Sequence, residues 1–174
     1  MLDNDASQTR TYRIHTPQSA VHACDIEGHW SVDAAAIIDQ WPHSAPFSLT
    51  LGLVGQQVHG YFYLGIYEGY MISQGYRAGS RKITFKWRGR ETGEGELSYD
   101  DNQKIVLQFS KDARTGEIGA TGRVSNMPAV QDFDIRVELT SRLGNRARLL
   151  VDAYKSEFDA MNSERYEYER VSRW

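Results

Sequence analysis

The feature that most constrains the fold is a two-residue alternation that begins at Phe47 and returns in segment after segment as far as Leu139. "FSLTLGL" puts Phe47, Leu49, Leu51 and Leu53 on one face, with Ser48 and Thr50 opposite. "FDIRVEL" puts Phe133, Ile135, Val137 and Leu139 against Asp134, Arg136 and Glu138. Residues that alternate in this way sit on strands with one buried and one wet face, the signature of antiparallel sheet. "KIVLQF" (104–109) lies between the turn-rich strings "YDDNQ" and "SKDARTG", and "VHGYFYLGIYEGYMIS" (58–73) reads as one or two further strands.

The longest alternation starts at Ile83. Odd positions carry Ile83, Phe85, Trp87, Gly89, Glu91, Gly93, Gly95, Leu97 and Tyr99; the even positions between them are all polar. Glycines on an inner face remove side chains and let a strand coil sharply, which suits a small barrel. Two readings of Glu91 follow. If the strand continues, Glu91 points inward and needs a partner or a proton, which makes it a site candidate. If the chain turns at "ETGE", Glu91 is a solvated turn residue.

The two ends of the chain differ from the middle. Residues 1–17 are polar and aperiodic and are expected to form a disordered leader. "DAAAIIDQWP" (33–42) predicts a short helix that Asp33 caps and Pro42 stops. Residues 145–171 have helical spacing, with Leu150, Tyr154, Phe158 and Met161 near one line. The expected fold is therefore mainly β: an antiparallel β-barrel with a short N-terminal helix and a long C-terminal helix, forming a single domain over 18–174.

"GHW" (Gly28, His29, Trp30) stands before the strands, and a helix follows the last of them. That order and length resemble lipocalins and their calycin relatives, whose Gly-x-Trp motif closes one end of an eight-stranded barrel. The resemblance covers topology over roughly 26–165 and carries no catalytic residue. It implies that Trp30 packs against an arginine near the last strand, for which Arg142 is the nearest candidate. The sequence departs from the family in the helix expected after Trp30, where those proteins continue a strand. The string "WRGRETGEGE" also resembles one in uncharacterised fungal proteins, which implies no activity.

Composition narrows the function classes. A net charge of −3 over 174 residues argues against a nucleic-acid binder. No apolar run approaches the about 18 residues of a membrane span, and the first residues lack the apolar centre of a secretory signal. Cys24 is the single cysteine, so no intrachain disulfide forms, and a cytoplasmic location is expected. No spacing of soft ligands points to a metal, and no phosphate loop, dinucleotide fingerprint or nucleophile elbow is present, so no cofactor is expected.

The first functional expectation is binding of a small apolar or aromatic molecule in the barrel, with Trp87, Phe85, Tyr61, Tyr63, Tyr70 and Tyr99 as contacts. The second is a cyclase- or isomerase-type enzyme with Glu91, Glu68 or His59 as acid or base. The third is an interaction protein whose barrel is filled by its own side chains. On either side of Gly60, His59, Tyr61 and Tyr63 share one face of a strand and Val58, Phe62 and Leu64 the other; alternation leaves open which set faces inward. The aromatics toward the C-terminus, Tyr166, Tyr168 and Trp174, point to a homodimer through the last helix.

Overall fold

The computed structural model describes residues 19–35, 37, 46–92 and 100–166, with side chains through residue 160. Its body is a closed barrel of eight antiparallel strands in simple up-and-down order, β1 (Gly28–Asp33), β2 (Phe47–Val54), β3 (Gln57–Leu64), β4 (Tyr67–Ser73), β5 (Lys82–Glu91), β6 (Lys104–Lys111), β7 (Ile118–Ser125) and β8 (Phe133–Arg142). Closure comes from β8 pairing back onto β1, from Gly28 opposite Arg142 to Asp33 opposite Arg136. A short helix, α1 (Ala23–Ile26), precedes the barrel, and a long helix, α2 (Asn145–Tyr166), follows it. Among the described residues no helix is long and apolar enough to cross a membrane.

The short helix lies before Trp30 rather than after it. Asp33 ends β1 in register with Arg136 rather than capping a helix, and Ala34 and Ala35 are not helical. The rest of the expected 33–42 helix, apart from residue 37, lies outside the described residues. A strand thus continues past Trp30. At α1 the His22 backbone N–H donates to Asp25 Oδ2 at 2.9 Å, and the Asp25 N–H donates back to the His22 carbonyl at 2.9 Å. Val21 and Ile26 join the barrel core, and the Trp30 indole N–H donates to the Ile26 carbonyl at 3.1 Å. The α1 segment therefore covers the end at which β1 begins. Arg142 pairs there with Asp25 at 3.5 Å, and Trp30 meets Phe109 edge to face.

Parity decides what fills the barrel. Val58, Phe62 and Leu64 of β3 face inward with Met71 of β4, Phe85 and Trp87 of β5 and Ile105, Leu107 and Phe109 of β6, each 2 % exposed or less. The inner glycines do not leave open space. A Cβ at Gly89 would lie 2.8 Å from the Tyr67 ring and 3.0 Å from that of Trp87, and one at Gly60 would lie 2.6 Å from the Leu51 side chain. A Cβ at Gly69 would run into the Phe62 ring and the Arg88 carbonyl. These glycines make room for neighbouring rings, which pack edge to face: Phe62 on Trp87 at 5.5 Å and Tyr67 on Trp87 at 6.0 Å.

The outer wall has two halves. On β7 and β8 the outward residues Thr121, Arg123, Asp134, Arg136 and Glu138 are exposed, as alternation requires. On β2 to β4 the outward side is covered by α2, whose Ala147, Val151 and Phe158 form a buried line at helical spacing. Gly52 of β2 allows the approach, since a Cβ there would lie 3.0 Å from the Ala147 backbone. Arg148 on the first turns donates twice to Glu27, at 2.8 and 3.1 Å, and the Leu53 amide donates to the same carboxylate. With 22 residues, α2 is about 33 Å long at 1.5 Å per residue. Residues 167–174, which hold Tyr168 and Trp174 of the expected partner surface, lie outside the described residues.

Candidate functional site

The residues singled out in the sequence divide into four places. Phe85 and Trp87 are in the barrel core. Tyr99 lies outside the described residues. Glu91 is the last residue of β5 and is exposed. Its parity matches the inner face, but β5 ends there, and Thr92 turns away with its amide and hydroxyl both donating to the Ile66 carbonyl. The inward reading of Glu91 is thus corrected: at a strand end, alternation no longer fixes direction. The remaining candidates, His59, Tyr61, Tyr63, Glu68 and Tyr70, are together, but outside the barrel, between β3 and β4 and the face of α2.

Tyr61 and Tyr63 stand two apart on β3, opposite Tyr70 and Glu68 of β4. Tyr154 of α2 slides between them. It stacks on Tyr61 at 4.4 Å and 9°, lies parallel to Tyr70 at 6.4 Å, and stands perpendicular to Tyr63 at 6.1 Å. Beneath the rings lies a buried ion pair, Glu68 with Arg90 of β5, with side chains 7 % and 4 % exposed. Arg90 Nε donates to Glu68 Oε2 at 3.3 Å, and the Tyr154 hydroxyl donates to Oε1 at 3.2 Å. Both carboxylate oxygens are thus engaged, as a buried charge requires. Tyr61, Tyr63, Glu68, Arg90, Leu150 and Tyr154 line an open groove of about 570 Å3.

Electrostatics follow the geometry. Burial holds the Tyr63 phenol protonated above its usual range, and the negative charges of Glu68 and Glu157 add to the effect. Tyr154 is pushed up much further, first by burial and then by Glu68, with Arg90 opposing. Beside the groove, His59 Nδ1 and the Tyr70 hydroxyl share a hydrogen bond of 2.8 Å. Burial and the nearby Lys155 lower the His59 pKa, with Asp152 opposing. Burial raises that of Tyr70, helped by Asp152 and Asp159.

Arg90, Tyr154 and Glu157 were not among the residues the sequence singled out for a site. Arg90 sits at an even position of the alternation that starts at Ile83 and reads as solvent-facing. One signal could have found it: an amphipathic helix must bury its line against some surface. Outward sets rich in tyrosine, 61 and 63 on β3 and 70 on β4, are the least solvated faces the sequence offers. Compared with protein-family models, curated proteins and solved structures, the chain matches none of them.

Proposed function

We propose that the protein is a binding module for a small aromatic molecule, held in the groove between the β3–β4–β5 wall and α2. One observation carries this: Tyr61, Tyr63 and Tyr154 converge with a buried, fully engaged Glu68–Arg90 pair on one open groove. Its volume falls within the roughly 300–1,000 Å3 typical of ligand sites, which combine apolar walls with a few fixed polar groups. Eight-stranded up-and-down order, Gly28 and Trp30 at the start of β1, and strand continuing past Trp30 support kinship with the calycins.

For the barrel interior, the site first expected, one observation speaks, the Trp87 indole N–H, which is buried with no hydrogen-bond acceptor among the described residues, and one speaks against it, the close packing of Phe62, Tyr67 and Gly89 around that ring. An acceptor on a ligand would satisfy that N–H.

Titration of the full chain with benzyl alcohol, followed by NMR, tests both. The groove predicts shifts of the Tyr63, Tyr154 and Leu150 signals with the Trp87 indole N–H unmoved. Movement of that N–H alone transfers the site to the interior. No movement at either place up to the solubility limit of the alcohol, nor with a charged benzene derivative in its place, overturns the aromatic-binding reading.

A further inference from the structure

We propose that the groove selects a small organic cation, an alkyl- or arylammonium, over a neutral or anionic molecule of the same shape. The inference rests on the groove being the ligand site and adds the charge of what it takes.

The argument begins with the charges that line it. Glu68 and Glu157 contribute two carboxylates and Arg90 one guanidinium. Arg90 is already directed at Glu68, so its charge is largely compensated at short range. Glu157 is different. It is exposed and has neither a hydrogen bond nor an ion pair among the described residues. It stands three residues beyond Tyr154, on the same side of α2, which places its carboxylate along the groove rim. The lining therefore carries one net negative charge, and the uncompensated part of it is at the mouth, where a cation would enter.

The rings point the same way. A tyrosine face carries the negative side of the ring quadrupole, and ammonium groups are attracted to it within about 6 Å. Tyr63 stands perpendicular to the stacked pair of Tyr61 and Tyr154. The rings lie in two nearly orthogonal planes, Tyr61 and Tyr154 covering one face of each other, with Leu150 and Ala153 supplying apolar contact for the methylenes of a substituted ammonium. A carboxylate ligand would meet Glu157 at the rim and find Arg90 occupied. The Tyr63 hydroxyl resists ionisation first because it is buried and then because of Glu68, Tyr61 and Glu157, so the two carboxylates act on that hydroxyl in the same sense.

The test uses the full chain and three probes built on one benzene ring: phenyltrimethylammonium, benzyl alcohol and benzoate. Affinities are read by NMR from the signals of Tyr63, Tyr154 and Leu150. The cation is expected to bind at least tenfold more tightly than the alcohol, and benzoate more weakly than either. Glu157→Gln, at an exposed position, is expected to weaken the cation several-fold and the alcohol by clearly less. Equal affinities, or a preference for benzoate, would overturn the cation inference while leaving an aromatic site in the groove. If Glu157→Gln leaves the cation's advantage intact, the rim carboxylate is not its source and the inference fails as argued. Silence of the groove signals with all three probes removes the binding site itself.

Discussion

Two cross-strand ion pairs on the outer wall of this barrel have nearly the same chemistry and opposite surroundings. Glu68 on β4 lies directly opposite Arg90 on β5, and Asp134 on β8 lies directly opposite Arg123 on β7. The first pair is buried, with side chains 7 % and 4 % exposed; the second is open to water at 81 % and 54 %. Nothing in the alternation of the four strands distinguishes them. The difference is α2, which lies over one side of the wall and leaves the other wet. A barrel wall is locally specified by parity, but its second layer is set by an element far away in sequence. The covered side is where aromatic rings, a buried charge pair and a groove converge.

The strongest way to break the comparison is to detach the helix. Phe158 is 1 % exposed and packs with Val151 and Tyr70 in a cluster of its own, separate from the barrel core. Phe158→Ala should cost about 3–5 kcal/mol of unfolding free energy by denaturant titration. A loss below about 1 kcal/mol would mean that α2 is not cooperative with the barrel and that the covered wall is covered only loosely.

That dependence on α2 also explains what could and could not be read from sequence. The barrel was legible because alternation at 83–90 and 133–139, together with the turn strings, is local information. The C-terminal helix was legible from its spacing. The helix expected at 33–42 failed at its start because Asp33 is tied into the ladder opposite Arg136, and propensity yields to such pairing. Tyr61, Tyr63 and Glu68 were visible as candidates, but not as lining a groove outside the barrel. Their burial requires Tyr154, and an alternating strand does not announce which helix will cover it. Glu91 shows the converse limit: right parity, but at the last position of a strand, where the chain is free to turn outward.

A sharper comparison sets the two ion pairs side by side. Glu68→Ala removes a carboxylate from beneath α2, where it holds both Arg90 and Tyr154. Breaking a buried pair in this way costs about 3–5 kcal/mol, most of it from the charge left behind. Asp134→Ala removes one partner of an exposed pair and should cost less than about 1 kcal/mol. Thermal or urea unfolding of the two variants in parallel decides the matter. Similar losses would show that α2 shields the Glu68 pair less than its exposure indicates.

The smallest expected effect concerns pH and again separates covered from open wall. His59 faces the Tyr70 hydroxyl, with Lys155 and Asp152 of α2 nearby, and its pKa is lowered by burial and by Lys155. A group whose folded pKa is depressed binds more protons when unfolded, so its contribution to stability is complete above the unfolded value and declines as pH falls. For histidine that value is about 6.5, so stability should decline as pH falls from about 6.5. His29, hydrogen-bonded to Thr50 and lowered by burial and Arg146, adds to the same decline. Asp25, whose pKa is lowered despite its burial by the His22 amide, Lys111 and Arg142, acts only in a more acidic window, below about pH 4. Melting curves of wild type and His59→Gln across pH 5–7 isolate the histidine under α2. The variant should show a shallower dependence than wild type, with the part due to His29 remaining. An unchanged slope would assign the whole decline to His29, where β1 meets Thr50 of β2 and Arg146 of α2, and leave the His59–Tyr70 contact indifferent to pH in this range.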